Sequence, residues 1–306
     1  MVELRRARVL VSGASGPIGA ALLPTLKAAG TQIARLSRGG PKRIPQDEES
    51  IPWNPAEAIP PDAVAGFDAV IHLAGESIVG RWSAEKKAKI RDSRVSGTSH
   101  LAQSLARTRN KPKIFICSSA IGFYGSRGDE ILTERSAPGQ GFLPDVCREW
   151  EAATQVASDA GIRTVQIRTG VVLSRKGGAL EKMLPPFKLG VGGRIGSGRQ
   201  WMSWIDVQDM TGAIHHILKD DSLRGPVNMV APQPVTNAEF TKTFASVLSR
   251  PAIFPMPALV VKLLFGEMGK TVLLGSQRVE PRQLTASGYS FRFVSLRASL
   301  ENLLEP

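Results

Sequence analysis

The feature that most constrains this chain lies in its first twenty residues. The apolar run Val9–Ser12 feeds directly into Gly13-Ala14-Ser15-Gly16-Pro17-Ile18-Gly19, a G-x-x-G-x-x-G spacing placed where a first strand turns into a first helix. Small residues there let the backbone approach a pyrophosphate. The helix opening near Gly16 offers unpaired N–H groups and the positive end of its dipole to the same point. Pro17 fits, because the first helical turn has no acceptor for the N–H that proline lacks. A tight glycine turn without a ligand is the bland alternative, and the strand-turn-helix context weighs against it. Gly13, Ser15, Gly16, Pro17, Ile18 and Gly19 are therefore expected to line a nucleotide phosphate.

Further along, β-rich runs alternate with amphipathic stretches of helical length, the rhythm of a parallel sheet covered on both faces. Strands are expected at Arg8–Ser12, Gln32–Ser37, Asp68–Leu73, Ile114–Ser118 and Thr164–Ile167. Helices are expected over Gly16–Ala29, Ser83–Ala106 and Pro144–Ala160. The proline-rich stretch Pro41–Pro61, with Pro45, Pro52, Pro55 and Pro60 inside it, reads as a surface excursion. The fold class is α/β, a Rossmann-type doubly wound parallel sheet. Residues 1–174 form the dinucleotide-binding domain, to which some later segments return. Glycine-rich turns from Gly190 to Gly198 mark residues 175–306 as a smaller α+β substrate lobe.

Composition narrows the class further. Of 306 residues, 42% are hydrophobic and 22% charged, enough for a large buried core and too apolar for a disordered chain. No apolar stretch nears the roughly 18 residues that span a bilayer, since Pro257–Phe265 already carries Lys262. The start carries Arg5, Arg6 and Arg8 but too short an apolar run for a secretory signal, so a cytoplasmic setting is expected. Two cysteines, Cys117 and Cys147, fit a reducing compartment as free thiols. The net charge is +12, yet no five like charges run together and only two tyrosines are present. A dispersed excess suits a phosphorylated small molecule better than nucleic acid.

Which dinucleotide is bound follows from the end of the second strand. An NAD site places a carboxylate there for the ribose 2′-OH. This chain has Ser37 and Arg38 instead, a short donor and a guanidinium suited to a 2′-phosphate, so NADP(H) is the expected cofactor. Arg38 as one more solvated arginine is the alternative. The segment His72-Leu73-Ala74-Gly75-Glu76 ends another strand in small residues, which brings Leu73, Ala74, Gly75 and Glu76 to the cofactor edge. His72 itself reads as a satisfied strand histidine.

These residues, with Ser118-Ser119-Ala120, Tyr124-Gly125, Arg168 and Trp204-Ile205-Asp206-Val207-Gln208-Asp209, resemble the extended short-chain dehydrogenase/reductase superfamily, which includes nucleotide-sugar epimerases. More narrowly, Leu73–Glu76, Trp150-Glu151, Arg168–Leu173, Pro185-Pro186-Phe187 and the tail around Pro281, Gly288-Tyr289 and Phe291 are similar to an epimerase-family branch with its own C-terminal extension, some of whose members are described as cell-division inhibitor homologues. The resemblance covers the whole chain. It implies an NADP-binding Rossmann domain and a smaller domain closing over a substrate cleft, and it adds Ser118 and Arg168 to the cofactor side.

One departure from that superfamily can be counted. Its proton-transfer pair is a tyrosine followed four residues later by a lysine, whose ammonium lowers the phenol from about 10. Here the residue four past Tyr124 is Gly128, and four past Tyr289 is Phe293. Aligning Glu151 with the superfamily's glutamate puts Leu143 and Cys147 where tyrosine and lysine stand. Ser119 and Tyr124 are the candidate replacements, with Cys147, Glu151 and Glu76 as further ionisable groups nearby. Alternatively, the dinucleotide serves as a structural or sensing ligand, or hydride transfer proceeds with water or substrate managing the proton.

On the substrate side, Arg168 at a strand end is expected to point into the cleft. Met183, Phe187, Trp201 and Trp204 are expected to line it, since aromatic faces suit a sugar or base ring. Asp209 reads as the residue that ties the lobes together, and His215-His216 as an exposed pair. The four histidines have no ligand spacing, so no metal site is expected. The substrate is then a small molecule, nucleotide sugars among the candidates.

Overall fold

Every core strand begins from the same alternation. In the first strand, Val9 and Val11 face one hydrophobic cluster and Leu10 faces the other, so both sheet surfaces must be covered by helices. A computed structural model describes residues 2–38 and 48–305. In chain order the elements are β1 (Arg8–Ser12), α1 (Pro17–Ala28), β2 (Gln32–Ser37), β3 (Glu49–Pro52), β4 (Ala69–His72), α2 (Ala84–Arg107), β5 (Ile114–Ala120), β6 (Ile131–Leu132), α3 (Phe142–Ala152), α4 (Gln155–Asp159), β7 (Arg163–Thr169), β8 (Val171–Leu173) and α5 (Gly178–Lys188). There follow β9 (Trp201–Met202), β10 (Trp204–Asp206), α6 (Val207–Lys219), β11 (Gly225–Met229), β12 (Val235–Thr236), α7 (Asn237–Val247), α8 (Ala258–Met268), β13 (Arg278–Val279), α9 (Arg282–Ala286) and α10 (Leu296–Leu304).

Seven of the strands form one parallel sheet, ordered β11-β7-β5-β4-β1-β2-β3. From β1 the chain runs outward through β2 and β3, then returns to β4 and continues the other way. The topological switch lies between β1 and β4, and ligands of open α/β sheets bind beyond the carboxyl ends of the strands at that point. Helices α1 and α6 cover one face and α2 to α4 the other. The last sheet strand, β11, comes from beyond residue 174. The remaining C-terminal segments pack helices and two-stranded ribbons around Leu173, Phe187, Trp204, Phe240, Phe244 and Leu300.

Three differences from the expected elements have local causes. Helix 144–160 is two helices, because the Thr154 hydroxyl turns back to the Glu151 carbonyl at 2.7 Å and accepts from Gln166 at 2.7 Å. Within the expected excursion 41–61, Glu49–Pro52 forms an edge strand paired with β2, its proline at the last position where no ladder donor is needed. Pro41 and Pro45 lie outside the described residues. His215 and His216 are half-buried rather than exposed, His215 against the Thr25 hydroxyl at 2.9 Å and His216 against Ser287 at 2.8 Å.

Candidate functional site

At the switch point the glycine turn is built by close approach. Gly13 has φ +70°, and a Cβ added to it would stand 2.6 Å from the Leu73 carbonyl carbon. A Cβ on Gly19 would meet the Gly13 oxygen at 2.4 Å, so neither position accepts a side chain without moving backbone. Gly16 is the N-cap of α1 with no side-chain cap, and Pro17 is its first residue. The first N–H groups of this helix therefore remain open to a ligand. Ser15 and Pro17 are exposed, Ile18 half-buried. Behind the turn the Ser12 hydroxyl lies 2.6 Å from His72 Nδ1 and accepts from Ala74 N at 3.4 Å, tying the ends of β1 and β4 together.

His72 is only half satisfied, in contrast to the sequence reading. It is fully buried, its Nε2 meets no partner among the described residues, and burial pushes its pKa down to about 4. Its ring packs edge-on against Trp53 at 5.6 Å. The buried Trp53 Nε1–H likewise meets no partner among the described residues.

Beyond the ends of β2 and β3 a cavity of about 610 Å³ is lined by Ser37, Arg38, Pro52, Trp53 and Asn54. Arg38 is exposed and Ser37 half-buried. On the opposite edge, Leu73 and Ala74 are half-buried and Gly75 is exposed. The Glu76 carboxylate is held below the usual range by its 2.6 Å bond from Lys86, helped by the fields of Lys86 and Arg38 against the cost of burial.

The end of β5 carries a buried polar network. The Ser119 hydroxyl donates to Glu151 at 2.6 Å, and Arg168 holds both oxygens of that carboxylate through Nε and Nη2 at 2.8 Å each. Arg168 Nη1 reaches the Tyr124 hydroxyl at 3.0 Å and the Glu134 carbonyl at 3.3 Å, and the guanidinium lies 3.5 Å over the Phe123 ring. Tyr124 in turn donates to Asn228 Oδ1 at 2.7 Å. Glu134 Oε1 accepts from the backbone N–H groups of Asn228 and Gln283, which joins this network to the C-terminal segment.

Several expected roles change as a result. Arg168 does not point into the cleft; 4% of its side chain is exposed and Glu151 neutralises it. Tyr124 is fully buried, and burial raises its pKa although Arg168 pulls the other way, so its phenol faces protein rather than a ligand. Trp204 is a core residue with 0% exposure whose Nε1 donates to the Gln233 carbonyl at 3.0 Å. Phe187 stacks on Phe244 at 4.6 Å inside the same core, and Met183 packs against its edge. Trp201 is half-buried, bonded to Asp129 at 2.7 Å and covered by Arg278 at 4.4 Å. Ser118 is buried on the other face of β5 from Ser119.

Cys147 and Leu143 occupy one wall, close to Gly122: a Cβ there would lie 3.5 Å from Leu143 and 3.7 Å from the Cys147 sulfur. Both thiols are free and buried, and burial raises each to about 12, so neither supplies a thiolate near neutral pH. Asp209 accepts from the N–H groups of Arg292 and Phe293 and from the Tyr289 hydroxyl, tying α6 to the C-terminal tail. Sequence reasoning missed Asn228, Glu134 and Arg94. Asn228 and Glu134 take their roles from segments meeting across 90 or more residues, and Arg94 from a helix whose partners Glu76 and Trp150 lie 18 and 56 residues away, so local spacing carries no signal for any of them. No helix of the described residues is long and apolar enough to cross a membrane.

Comparison with known proteins agrees with this architecture. Residues 9–230 match the model of the NAD dependent epimerase/dehydratase family, and residues 256–303 match a domain of unknown function, DUF1731. An epimerase family protein of Mycobacterium bovis is 40% identical over 299 residues, 97% of each chain. The crystal structure of human epimerase family protein SDR39U1 with NADPH superposes with a TM-score of 0.88 at 36% identity, covering 97% of this chain and 99% of that one. A nucleoside-diphosphate sugar epimerase structure from Corynebacterium glutamicum gives 0.79 at 37% identity, covering 98% of this chain and 59% of the other.

Proposed function

The chain belongs to the NAD-dependent epimerase/dehydratase family, and from that premise we propose that it is an NADP(H)-dependent oxidoreductase or epimerase-like enzyme acting on a carbinol or carbonyl carbon of a small substrate. The observation that carries the cofactor choice is Arg38. It is an exposed guanidinium at the end of β2, beside a cavity large enough for an adenosine, where an NAD site keeps a carboxylate. The cradle fits a dinucleotide on two further counts. The backbone around Gly13 and Gly19 leaves no room for a side chain, and the Trp53 N–H beside the adenosine cavity meets no acceptor among the described residues. The NADPH-bound human relative supports the same choice.

In this reading Gly13, Ser15, Ile18 and Gly19 hold the pyrophosphate by main-chain amides, while the Gly16 N–H bonds the Gly13 carbonyl at 3.0 Å and shapes the turn. Ser37 and Arg38 bond the 2′-phosphate, and Leu73, Ala74 and Gly75 form the edge on which the nicotinamide half lies. When bound, the cofactor supplies a hydride acceptor or donor. Ser119 is the polar side chain left for the substrate in this reading; it is enclosed, at 3% exposure, and its one proton is given to Glu151, so its role is to accept from a substrate hydroxyl. Arg168 holds both oxygens of the Glu151 carboxylate and thereby fixes that orientation. Nucleotide-linked substrates fit the family, as the name of the Corynebacterium relative indicates.

A second reading is favoured by two observations. Leu143 and Cys147 stand where the acid/base pair is expected, and Tyr124 is sealed in the interior. A non-catalytic NADP-binding regulator accommodates both facts. Mixing the protein and NADP⁺ or NADPH with a panel of nucleotide sugars and carbonyl compounds separates the readings. An absorbance change at 340 nm or a new epimer supports the enzyme, and neither in any mixture supports the regulator.

For the cofactor itself, Arg38→Ala should lose about 1.5–3 kcal/mol of NADPH binding, the value of a charge-assisted contact, and leave NADH binding unchanged. Equal losses for both dinucleotides contradict the assignment.

A further inference from the structure

We infer that Arg94 is the positioning cation of this cleft, holding the nicotinamide half of the dinucleotide through N–H groups that the protein leaves unused. The inference rests on the cofactor reading above and deepens it with a residue that no sequence motif marks.

The placement comes from three contacts. Arg94 lies on α2 with its guanidinium against Gly75. A Cβ on that glycine would stand 3.3 Å from Arg94 Cζ and 3.4 Å from Nη2. Gly75 is exposed, and Leu73 and Ala74 just before it abut the Gly13 turn, so the guanidinium backs the cleft edge beyond the phosphate cradle. On its other side the group lies 5.1 Å over the Trp150 ring. Its charge is felt by the Cys147 thiol, the residue aligned with the lysine that this chain lacks. Arg94 thus sits between the phosphate-binding turn and the Ser119 end of the site.

Arg94 is half-buried, and its bonding is incomplete in a way that the bonding of the buried Arg163 and Arg168 is not. Arg168 has Glu151. Arg163 gives Nη1 to the carbonyls of Ile217, Asp220 and Leu223 and lies 3.4 Å from Asp221. Arg94 donates only from Nη1, to the carbonyls of Glu76 at 2.9 Å and Ile90 at 3.0 Å. Among the described residues Nε and Nη2 meet no acceptor and no carboxylate forms an ion pair with it, and the Glu76 carboxylate is bonded by Lys86. Burial works against the charge, lowering the Arg94 pKa against the fields of Cys147 and Glu76. Because Arg94 is only half-buried, its unbonded N–H groups stay accessible, and oxygens of an incoming ligand can complete them. Its planar fork suits paired oxygens such as vicinal ribose hydroxyls.

The test compares two ligands by calorimetry, NADPH and 2′,5′-ADP, which keeps the adenosine and its phosphates but lacks the nicotinamide half. Arg94→Met should weaken NADPH about tenfold or more, as expected for one charge-assisted contact, and leave 2′,5′-ADP within about twofold of the wild type. Arg94→Lys, which keeps the charge without the fork, should recover part of the loss. Arg94→Gln serves if the methionine variant does not fold, since its amide can still bond the two carbonyls. Unchanged NADPH affinity overturns the inference. So does an equal loss for both ligands with a lowered melting temperature, which marks a merely structural arginine, or a lysine variant no better than methionine. Wild-type protein that binds neither ligand overturns the cofactor reading first and this inference with it.

Discussion

Replacing Glu151 with leucine should destabilise the protein by about 3–5 kcal/mol, the usual cost of removing one partner from a buried ion pair. The pair is enclosed, with side-chain exposures of 4% for Arg168 and 14% for Glu151. The carboxylate also accepts the Ser119 proton, so the variant leaves a guanidinium uncompensated and a hydroxyl without its acceptor. Tyr124 and the Glu134 carbonyl keep part of Arg168 bonded, which holds the loss toward the lower end of that range. The double variant Glu151→Leu/Arg168→Met removes both charges and should recover more than about 1 kcal/mol relative to the sum of the single changes. Urea denaturation followed by far-UV circular dichroism reads this as a midpoint shift at constant slope. A Glu151→Leu protein within about 1 kcal/mol of the wild type, or strict additivity in the double variant, would refute the claim that this pair fixes the site.

The remaining expectations concern separate groups. His72 is held at about 4 in the fold against about 6.5 when unfolded, so the unfolded state takes up the proton first. The stability His72 confers should be complete above pH 6.5 and decline by up to about 3 kcal/mol as pH falls toward 4; His72→Asn should flatten that slope in pH-dependent urea titrations. Gly13→Ala forces a side chain onto φ +70° and into the Leu73 carbonyl, and calorimetry should show NADPH binding reduced at least about tenfold, whereas unaltered binding would place the dinucleotide elsewhere. Native Cys117 and Cys147 should resist a thiol reagent at pH 7.5 until denaturant is added, because burial holds both near 12; rapid stoichiometric labelling of the folded protein would contradict that.

The parallel sheet was legible in the sequence because its signals are local. Runs such as Arg8–Ser12 and Asp68–Leu73 declare buried strands, and the glycines at 13, 16 and 19 declare a strand-turn-helix whose close contacts the structure displays. The place of Arg38 just past β2 was legible for the same reason, since it is set by one βα unit. The residues misjudged are those whose surroundings come from afar. Arg168 ends a strand, as read, but Glu151 from α3 captures it before it reaches the cleft. Trp204 and Phe187 look like ligand-stacking aromatics until α7 and α10 close a second core over them. Arg94 carried no signal at all, because an unfinished hydrogen-bond set shows only when its neighbours are in place.

The most direct measurement is a calorimetric titration of the purified wild-type chain with NADPH, alone and in the presence of saturating 2′,5′-ADP. One saturable site per chain that the bisphosphate competes away is the predicted result. No heat, or binding that 2′,5′-ADP leaves untouched, would contradict the claim that the glycine turn and Arg38 together hold a 2′-phosphorylated dinucleotide.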